Sequence, residues 1–274
     1  MMKLEPSMLS GIVLRNLQVA PGHFLMDLRL PASFPAPLPG QFCMVRLSER
    51  LEPFLGRPLS IHSFRRRKDS ATLRLLYRVA GKGTLLFSRQ GKGAAFDILG
   101  PLGQPFRILP SCPTVILVAG GIGVAPLAFL ARHYRRSNHG SGKSAIIIYA
   151  GAGDSTRLVG LKSFKDMDLR VSTDDGSLGF HGPVTSHFEQ DLTSYNPVNS
   201  IIYACGPSAM IRRLSEILKG TGFACQVSME ERMACGVGAC LGCAAALRDG
   251  DGKVRYERVC REGPVFDIRD LSGQ

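Results

Sequence analysis

A chain of 274 residues has room for two compact domains and a small appendage, and each main domain can bury a core without disulfides. Eight cysteines, four of them clustered near the C-terminus, do not suit a small secreted disulfide scaffold and point to metal chemistry in a reducing compartment. A net charge of +12 admits nucleic acid, a membrane surface, an acidic partner or anionic cofactors, and decides between none of them.

The opening Met1-Met-Lys-Leu-Glu-Pro-Ser7 has no apolar h-region and no small-residue cleavage site, so a cytoplasmic chain is expected. From Gly11 to about Ile108, short alternating runs separated by turn residues predict an antiparallel β-barrel. Ile12, Leu14 and the run Phe24 to Leu30 alternate in and out, and the prolines Pro31, Pro35, Pro37 and Pro39 break the chain before a strand from Gln41 to Leu47. The basic run Arg65-Arg-Arg-Lys68, followed by Asp69-Ser70 between two strand-like stretches, reads as a solvated hairpin tip. A strand from Thr72 to Val79 then enters Ala80-Gly-Lys-Gly-Thr84, and Thr84 to Arg89 reads as the first turns of a helix opened by glycine and capped by Thr84. Such an N-terminus offers unpaired N–H groups to an anion, and the Arg57 guanidinium can meet that anion with two parallel hydrogen bonds.

Beyond Gly100-Pro-Leu-Gly-Gln-Pro105 the pattern changes. Val115 to Ala131 is apolar enough to raise a membrane span, but Gly120, Gly121, Gly123 and Pro126 interrupt it; a buried strand, a glycine turn and a helix from Pro126 to Arg135 fit better. Further strands at Ala145 to Tyr149 and Ile201 to Ala204 alternate with helical segments, which predicts a doubly wound parallel sheet. The loop Gly120-Gly-Ile-Gly123 lets a dinucleotide pyrophosphate approach the backbone at a helix N-terminus, although it lacks the full G-x-G-x-x-G spacing. In Gly151 to Arg157, Asp154 can accept from a ribose 2′-OH while Arg157 can meet a 2′-phosphate, so NAD and NADP both stay open, with NAD favoured because the acid comes first. The turn Thr173-Asp-Asp-Gly-Ser-Leu-Gly179 reads as a plain Asp-Gly turn or as a loop near the nucleotide.

Cys235, Cys240, Cys243 and Cys260 follow the C-x4-C-x2-C…C spacing of plant-type [2Fe–2S] clusters. Glycine and alanine fill the gaps, which lets backbone N–H groups turn toward sulfur. All six histidines lie at or before His187, which argues against a Rieske centre. Structural zinc prefers two short C-x2-C pairs, and only Cys240 and Cys243 form one. Cys43, Cys112 and Cys225 match no ligand spacing and read as core residues.

Pro39-Gly-Gln-Phe42, Arg57-Pro-Leu-Ser60, Tyr77-Arg78 and Gly81-Lys-Gly-Thr84, together with Gly120 to Leu127 and Tyr203-Ala-Cys-Gly-Pro-Ser-Ala-Met210, resemble the ferredoxin–NAD(P) reductase superfamily. The resemblance implies an FAD-binding barrel in which Arg57 contacts the pyrophosphate, Ser60 lies near the isoalloxazine, Gly83 and Thr84 hold phosphates, and Pro58, Leu59, Leu76, Tyr77 and Arg78 line the flavin. Tyr77 reads equally well as a packed barrel aromatic. For NAD it implies Gly120, Gly121, Ile122, Gly123, Asp154, Cys205, Gly206 and Pro207, with Cys205 open to the simpler reading of a buried thiol.

The runs Val227 to Cys240 and Cys260 to Phe266 resemble the electron-transfer subunits of type B dihydroorotate dehydrogenases, and the likeness covers the whole chain in the order 1–108 flavin barrel, 109–224 nicotinamide domain, 225–274 cluster domain. In those proteins electrons pass from the FMN of a separate catalytic subunit through [2Fe–2S] and FAD to NAD+, in pyrimidine synthesis, within a heterotetramer of two of each subunit. The chemistry then belongs to the cofactors, with no side-chain nucleophile; Cys205 and Glu230 are candidates for a place near flavin and nicotinamide, Glu230 being as readily a surface ion-pair residue. One alternative is the small subunit of an NAD(P)H-dependent ferredoxin reductase or sulfide dehydrogenase, whose first cluster ligand is not cysteine where Cys235 stands. Another is a zinc-bearing nucleic-acid module using Arg65 to Lys68.

Overall fold

The computed structural model describes residues 7–48, 52–109, 112–137, 144–248 and 251–271. Six strands close a barrel: β1 (Ser7–Ala20), β2 (His23–Pro31), β3 (Phe42–Leu47), β4 (Arg57–Arg66), β5 (Ser70–Arg78) and, after helix α1 (Lys82–Ser88), β6 (Ala95–Leu102). Their order is β1-β2-β5-β4-β3-β6, and every pair is antiparallel. Alternation fills the interior with Val13, Met26, Leu28, Val45, Ile61, Leu73, Leu75, Phe96 and Ile98, all fully buried. In β1 the inward residues are Gly11 and Val13, while Leu14 faces out. The basic run is a hairpin tip as expected: Arg67 N–H donates to Ser70 O at 2.8 Å and residues 65–69 are exposed.

Two local expectations need correction. Thr84 is the third residue of α1 rather than its cap, and its Oγ1 reaches back to accept from the N–H groups of Ala80 (2.9 Å) and Gly81 (3.3 Å). The cluster domain expected from residue 225 onward shares its first residues with the sheet, because strand pairing continues through Ser228.

The second unit is a seven-stranded sheet. Strands β7 (Thr114–Gly120), β8 (Ala145–Ala152), β9 (Asp168–Thr173), β10 (Phe180–His181), β11 (Ser200–Cys205) and β12 (Ala224–Ser228) pair in parallel, interleaved with helices α2 (Val124–Ser137), α3 (Val184–Asp191) and α4 (Ser208–Leu218). Val115 to Val118 are fully buried, as a central parallel strand covered on both faces requires. No helix among the described residues is long and apolar enough to cross a membrane, so the run at Val115 resolves into strand, turn and helix. After a two-stranded hairpin, β13 (Ala244–Arg248) with β14 (Val254–Arg258), the chain returns as β15 (Val265–Asp267), which adds to β12 antiparallel.

Barrel and sheet meet through α2. Leu76 of β5 belongs to the core of the sheet unit, and Phe129 of α2 belongs to the core of the barrel. Between them lies a polar lock: His62 Nε2 is 3.1 Å from Ser163 Oγ, while Arg132 Nη2 donates to His62 O and lies 3.0 Å from His62 Nδ1. Arg132 Nε is buried with no partner, so the neighbourhood already holds one poorly compensated charge. Burial and the adjacent Arg132 and Arg74 guanidinium groups push the His62 imidazole down to about 3, with Asp27 opposing.

His62 is therefore folded in its neutral form, and the unfolded chain binds the extra proton. Its contribution is complete above about pH 6.5 and is lost as pH falls toward about 3, at up to about 1.4 kcal/mol per pH unit. Denaturant titrations at pH 7 and pH 5 should show a drop in stability for the wild-type chain that His62→Gln largely removes; an equal drop in both would assign the acid sensitivity elsewhere.

Candidate redox site

The barrel-side cavity lies where β4, β5 and the start of α1 converge. It measures about 240 Å³, and its walls include Arg57, Pro58, Leu59, Ser60, Leu76, Tyr77, Arg78 and Thr84. Gly83 lies just behind: a Cβ there would stand 2.5 Å from Arg57 Nε and 2.8 Å from Cζ, so the missing side chain is what lets the guanidinium lie on the helix N-terminus. Arg57 Nη1 also donates to Leu55 O at 2.7 Å, which fixes its direction. Cation and helix N-terminus together form an anion corner. Tyr77 is a core residue that also borders the cavity: 1% exposed, it stacks on Phe24 and donates to Asn16 Oδ1 at 3.1 Å. Burial pushes its phenol up to about 12.

The sheet-side cleft, about 690 Å³, opens at the carboxyl ends of the parallel strands, where open α/β sheets bind ligands. Gly120, Gly121, Ile122, Gly206 and Pro207 line it. Gly123 faces the other way, and a Cβ on it would overlap the Cys205 carbonyl, so this glycine sets how closely the β7–α2 turn approaches β11. Cys205 is 1% exposed and forms no part of the cleft wall; burial, with Glu230 adding to it, drives its thiol pKa up. Asp154 is also not part of the wall. Its carboxylate accepts from Thr156 N–H and pairs with Arg157 Nε at 3.1 Å, and it is Arg157 that reaches the cleft.

Arg78, Ile122 and Glu230 border both spaces, so the two are neighbours across one thin wall. Glu230 makes no ion pair among those found. It is open to the cleft, yet the protein around it raises its carboxyl pKa, with Arg78 opposing.

The cysteine loop closes the far side. Among the described residues no three His, Cys, Asp or Glu side chains converge as one metal ion would need. Cys260 N–H donates to Cys243 Sγ at 3.4 Å, and Cys235 has Cys240 as its thiol neighbour while Cys243 and Cys235 both act on Cys260. Four thiols in one loop region is the ligand set a [2Fe–2S] cluster takes. Burial acts to raise the Cys235 pKa, but N–H groups of Val237, Cys240 and Ala239 and the Cys240 thiol outweigh it and bring it to about 6. Burial and the adjoining Cys243 push Cys260 up to about 12. Gly236 and Gly238 have positive φ, and so does Leu241 (59°), a strained residue that is 64% exposed. Cys243 and Cys260 share an apolar core with Phe42, Met44 and Leu102, against which Met229 and Met233 pack; Phe42, Met229 and Met233 also line the barrel-side cavity.

Several wall residues carry no local sequence signal. His23, Pro183, Thr185 and Arg213 line the cleft, and Ser228, Met229, Met233 and Pro264 the cavity, because distant segments fold against each other there. The β-barrel, doubly wound sheet and cysteine loop define a ferredoxin reductase-like protein with an appended iron–sulfur module. A solved NADH-dependent reduced ferredoxin-NADP oxidoreductase overlays with a TM-score of 0.81 at 25% identity, covering 96% of this chain and 89% of that one. Phthalate dioxygenase reductase shares the fold, with a TM-score of 0.64 at 17% identity over 93% and 78% of the two chains.

Residues 230–272 match the iron-sulfur cluster binding domain of dihydroorotate dehydrogenase B. The dihydroorotate dehydrogenase B (NAD(+)) electron transfer subunit of Desulforamulus reducens is 39% identical over 93% of this chain and 94% of its own length. That of Caldanaerobacter subterraneus subsp. tengcongensis is 38% identical over 84% and 85%. The chain belongs to the family of dihydroorotate dehydrogenase B electron transfer subunits.

Close approach at Gly123 has a measurable cost. Gly123→Ala should destabilise the chain by about 1–3 kcal/mol or more, since backbone must move, whereas Gly153→Ala, whose Cβ meets only Arg157 Nη1 at 3.7 Å, should stay within about 0.5 kcal/mol. Thermal denaturation of the two variants tests this, and equal effects would contradict it.

Proposed function

We infer that this chain is the electron-transfer subunit of an NAD-linked dihydroorotate dehydrogenase, carrying electrons from the FMN of a separate catalytic subunit by way of a [2Fe–2S] cluster and FAD to NAD+, in de novo pyrimidine biosynthesis. The observation that carries the reading is the shared walls: Arg78, Ile122 and Glu230 join cleft to cavity, and Phe42, Met229 and Met233 join cavity to the cysteine core. Bound in the middle space, a flavin supplies the conversion between two-electron hydride chemistry and the single electrons an iron cluster handles.

The chain's own residues position and insulate. Arg57, Gly83 and Thr84 hold the flavin phosphates; Pro58, Leu59, Ser60, Leu76, Tyr77 and Arg78 form the bed of the ring. Gly120, Gly121, Ile122, Gly206 and Pro207 cradle the nicotinamide nucleotide, Gly123 and Cys205 acting from behind by setting the approach of the turn to β11. Cys235, Cys240, Cys243 and Cys260 would hold the [2Fe–2S] cluster. NAD as the nucleotide is supported by the names of the relatives, while Asp154, held by Thr156 and Arg157, stands outside the cleft wall. The catalytic subunit completes a heterotetramer of two of each chain, and the assembly is cytoplasmic. The ferredoxin reductase and sulfide dehydrogenase alternative is weakened by the cysteine at position 235 and by the names of the relatives. The zinc-bearing nucleic-acid module is weakened by the match of residues 230–272 to an iron-sulfur cluster binding domain.

Purified chain should contain about two irons and about one FAD, with little zinc. It should pass electrons from NADH to an artificial acceptor and leave dihydroorotate untouched without its partner. Cys243→Ser should abolish the cluster's EPR signal while keeping flavin absorbance and the NADH-to-acceptor activity. Stoichiometric zinc, or a chain without flavin after gentle purification, would overturn the reading.

A further inference from the structure

The barrel-side cavity, at about 240 Å³, is smaller than the roughly 300–1,000 Å³ that encloses drug-sized ligands. It has room for a ring system and not for a whole dinucleotide. On the reading that the flavin is FAD, on which this inference rests, the adenosine half lies outside the cavity, beyond the anion corner of Arg57, Gly83 and Thr84.

The chain itself shows what stands there. Ser60 and Arg57 are three residues apart on β4, about 10 Å of extended backbone from ring bed to anion corner, and the segment 52–56 precedes Arg57 on the outer side. That segment is tied to the corner at both ends. Arg57 Nη1 donates to Leu55 O at 2.7 Å and Gly56 O at 3.3 Å, and Glu52 pairs with Lys82, the first residue of α1, at 2.5 Å. At its centre Phe54 is 73% exposed. Leu85, three residues beyond Lys82 and so on the same face of α1, is 41% exposed. A large exposed aromatic, on a segment hydrogen-bonded to the anion corner and with no ring partner among the described residues, has the attributes of a base-stacking platform.

We propose that Phe54 stacks on the adenine of FAD, with Leu85 bordering the same slot, and that this contact is what distinguishes FAD from FMN in this chain. The phosphate corner and ring bed serve both flavins; only FAD reaches Phe54.

Flavin is stripped from the full-length chain, and FAD and FMN are titrated back by fluorescence into wild type, Phe54→Ala and Phe54→Trp. Base–aromatic stacking predicts that Phe54→Ala weakens FAD at least about tenfold, leaves FMN within about twofold, and that Phe54→Trp restores FAD binding. Unchanged FAD affinity in Phe54→Ala overturns the proposal and leaves the FAD reading intact, as does an equal loss for FMN. Weakened association with the catalytic subunit at unchanged FAD affinity would make Phe54 a docking residue and also overturn it. A wild-type chain that binds neither flavin defeats both the proposal and the FAD reading.

Discussion

At two glycines the backbone approaches its neighbours more closely than a Cβ would allow, and the proposed redox arrangement depends on that approach. A Cβ on Gly123 would overlap the Cys205 carbonyl, and one on Gly236 would overlap Met44 of the barrel. The first contact seats the β7–α2 turn against the end of β11; the second presses the cysteine loop onto β3. The two glycines determine how thin the walls between the three spaces are, and electron transfer needs thin walls more than it needs reactive side chains.

Those walls are differentiated in polarity. The one between cleft and cavity carries Arg78 and Glu230, charged groups at the place where a nicotinamide and a flavin would face each other. The one between cavity and cysteines carries Phe42, Met229 and Met233, apolar and packed. Hydride exchange moves a nucleus and so would need the two rings in contact, whereas a single electron can cross packed hydrocarbon. The lock of His62, Arg132 and Ser163 sits away from both walls and holds barrel and sheet in register.

Much of the site was legible because its elements are local. Arg57 to Ser60, Gly81 to Thr84, Gly120 to Gly123 and the C-x4-C-x2-C run each place their functional atoms within one turn or strand end, where residue type and spacing carry the chemistry. What stayed hidden comes from tertiary approach. Met229 and Met233 line the cavity only because β12 runs on to Ser228 before the chain turns, and β15, three residues long, is too short to announce itself. Asp154 and Cys205 were plausible by position, yet one carboxylate is occupied by Thr156 and Arg157 and one thiol is buried; neither fact can be seen in a linear pattern. Thr84 was misplaced by three residues, the cap being Gly81, because a Gly-Thr pair reads alike as cap or as first turn.

The central claim is that the middle space is the sole electrical connection between nucleotide and iron. The most direct measurement is anaerobic addition of NADH to the isolated chain, before and after flavin removal, followed by EPR of the cluster. A signal of reduced cluster in the intact chain, lost on stripping and recovered with added FAD, is the expected outcome. Reduction of the cluster at the same rate without flavin would contradict it.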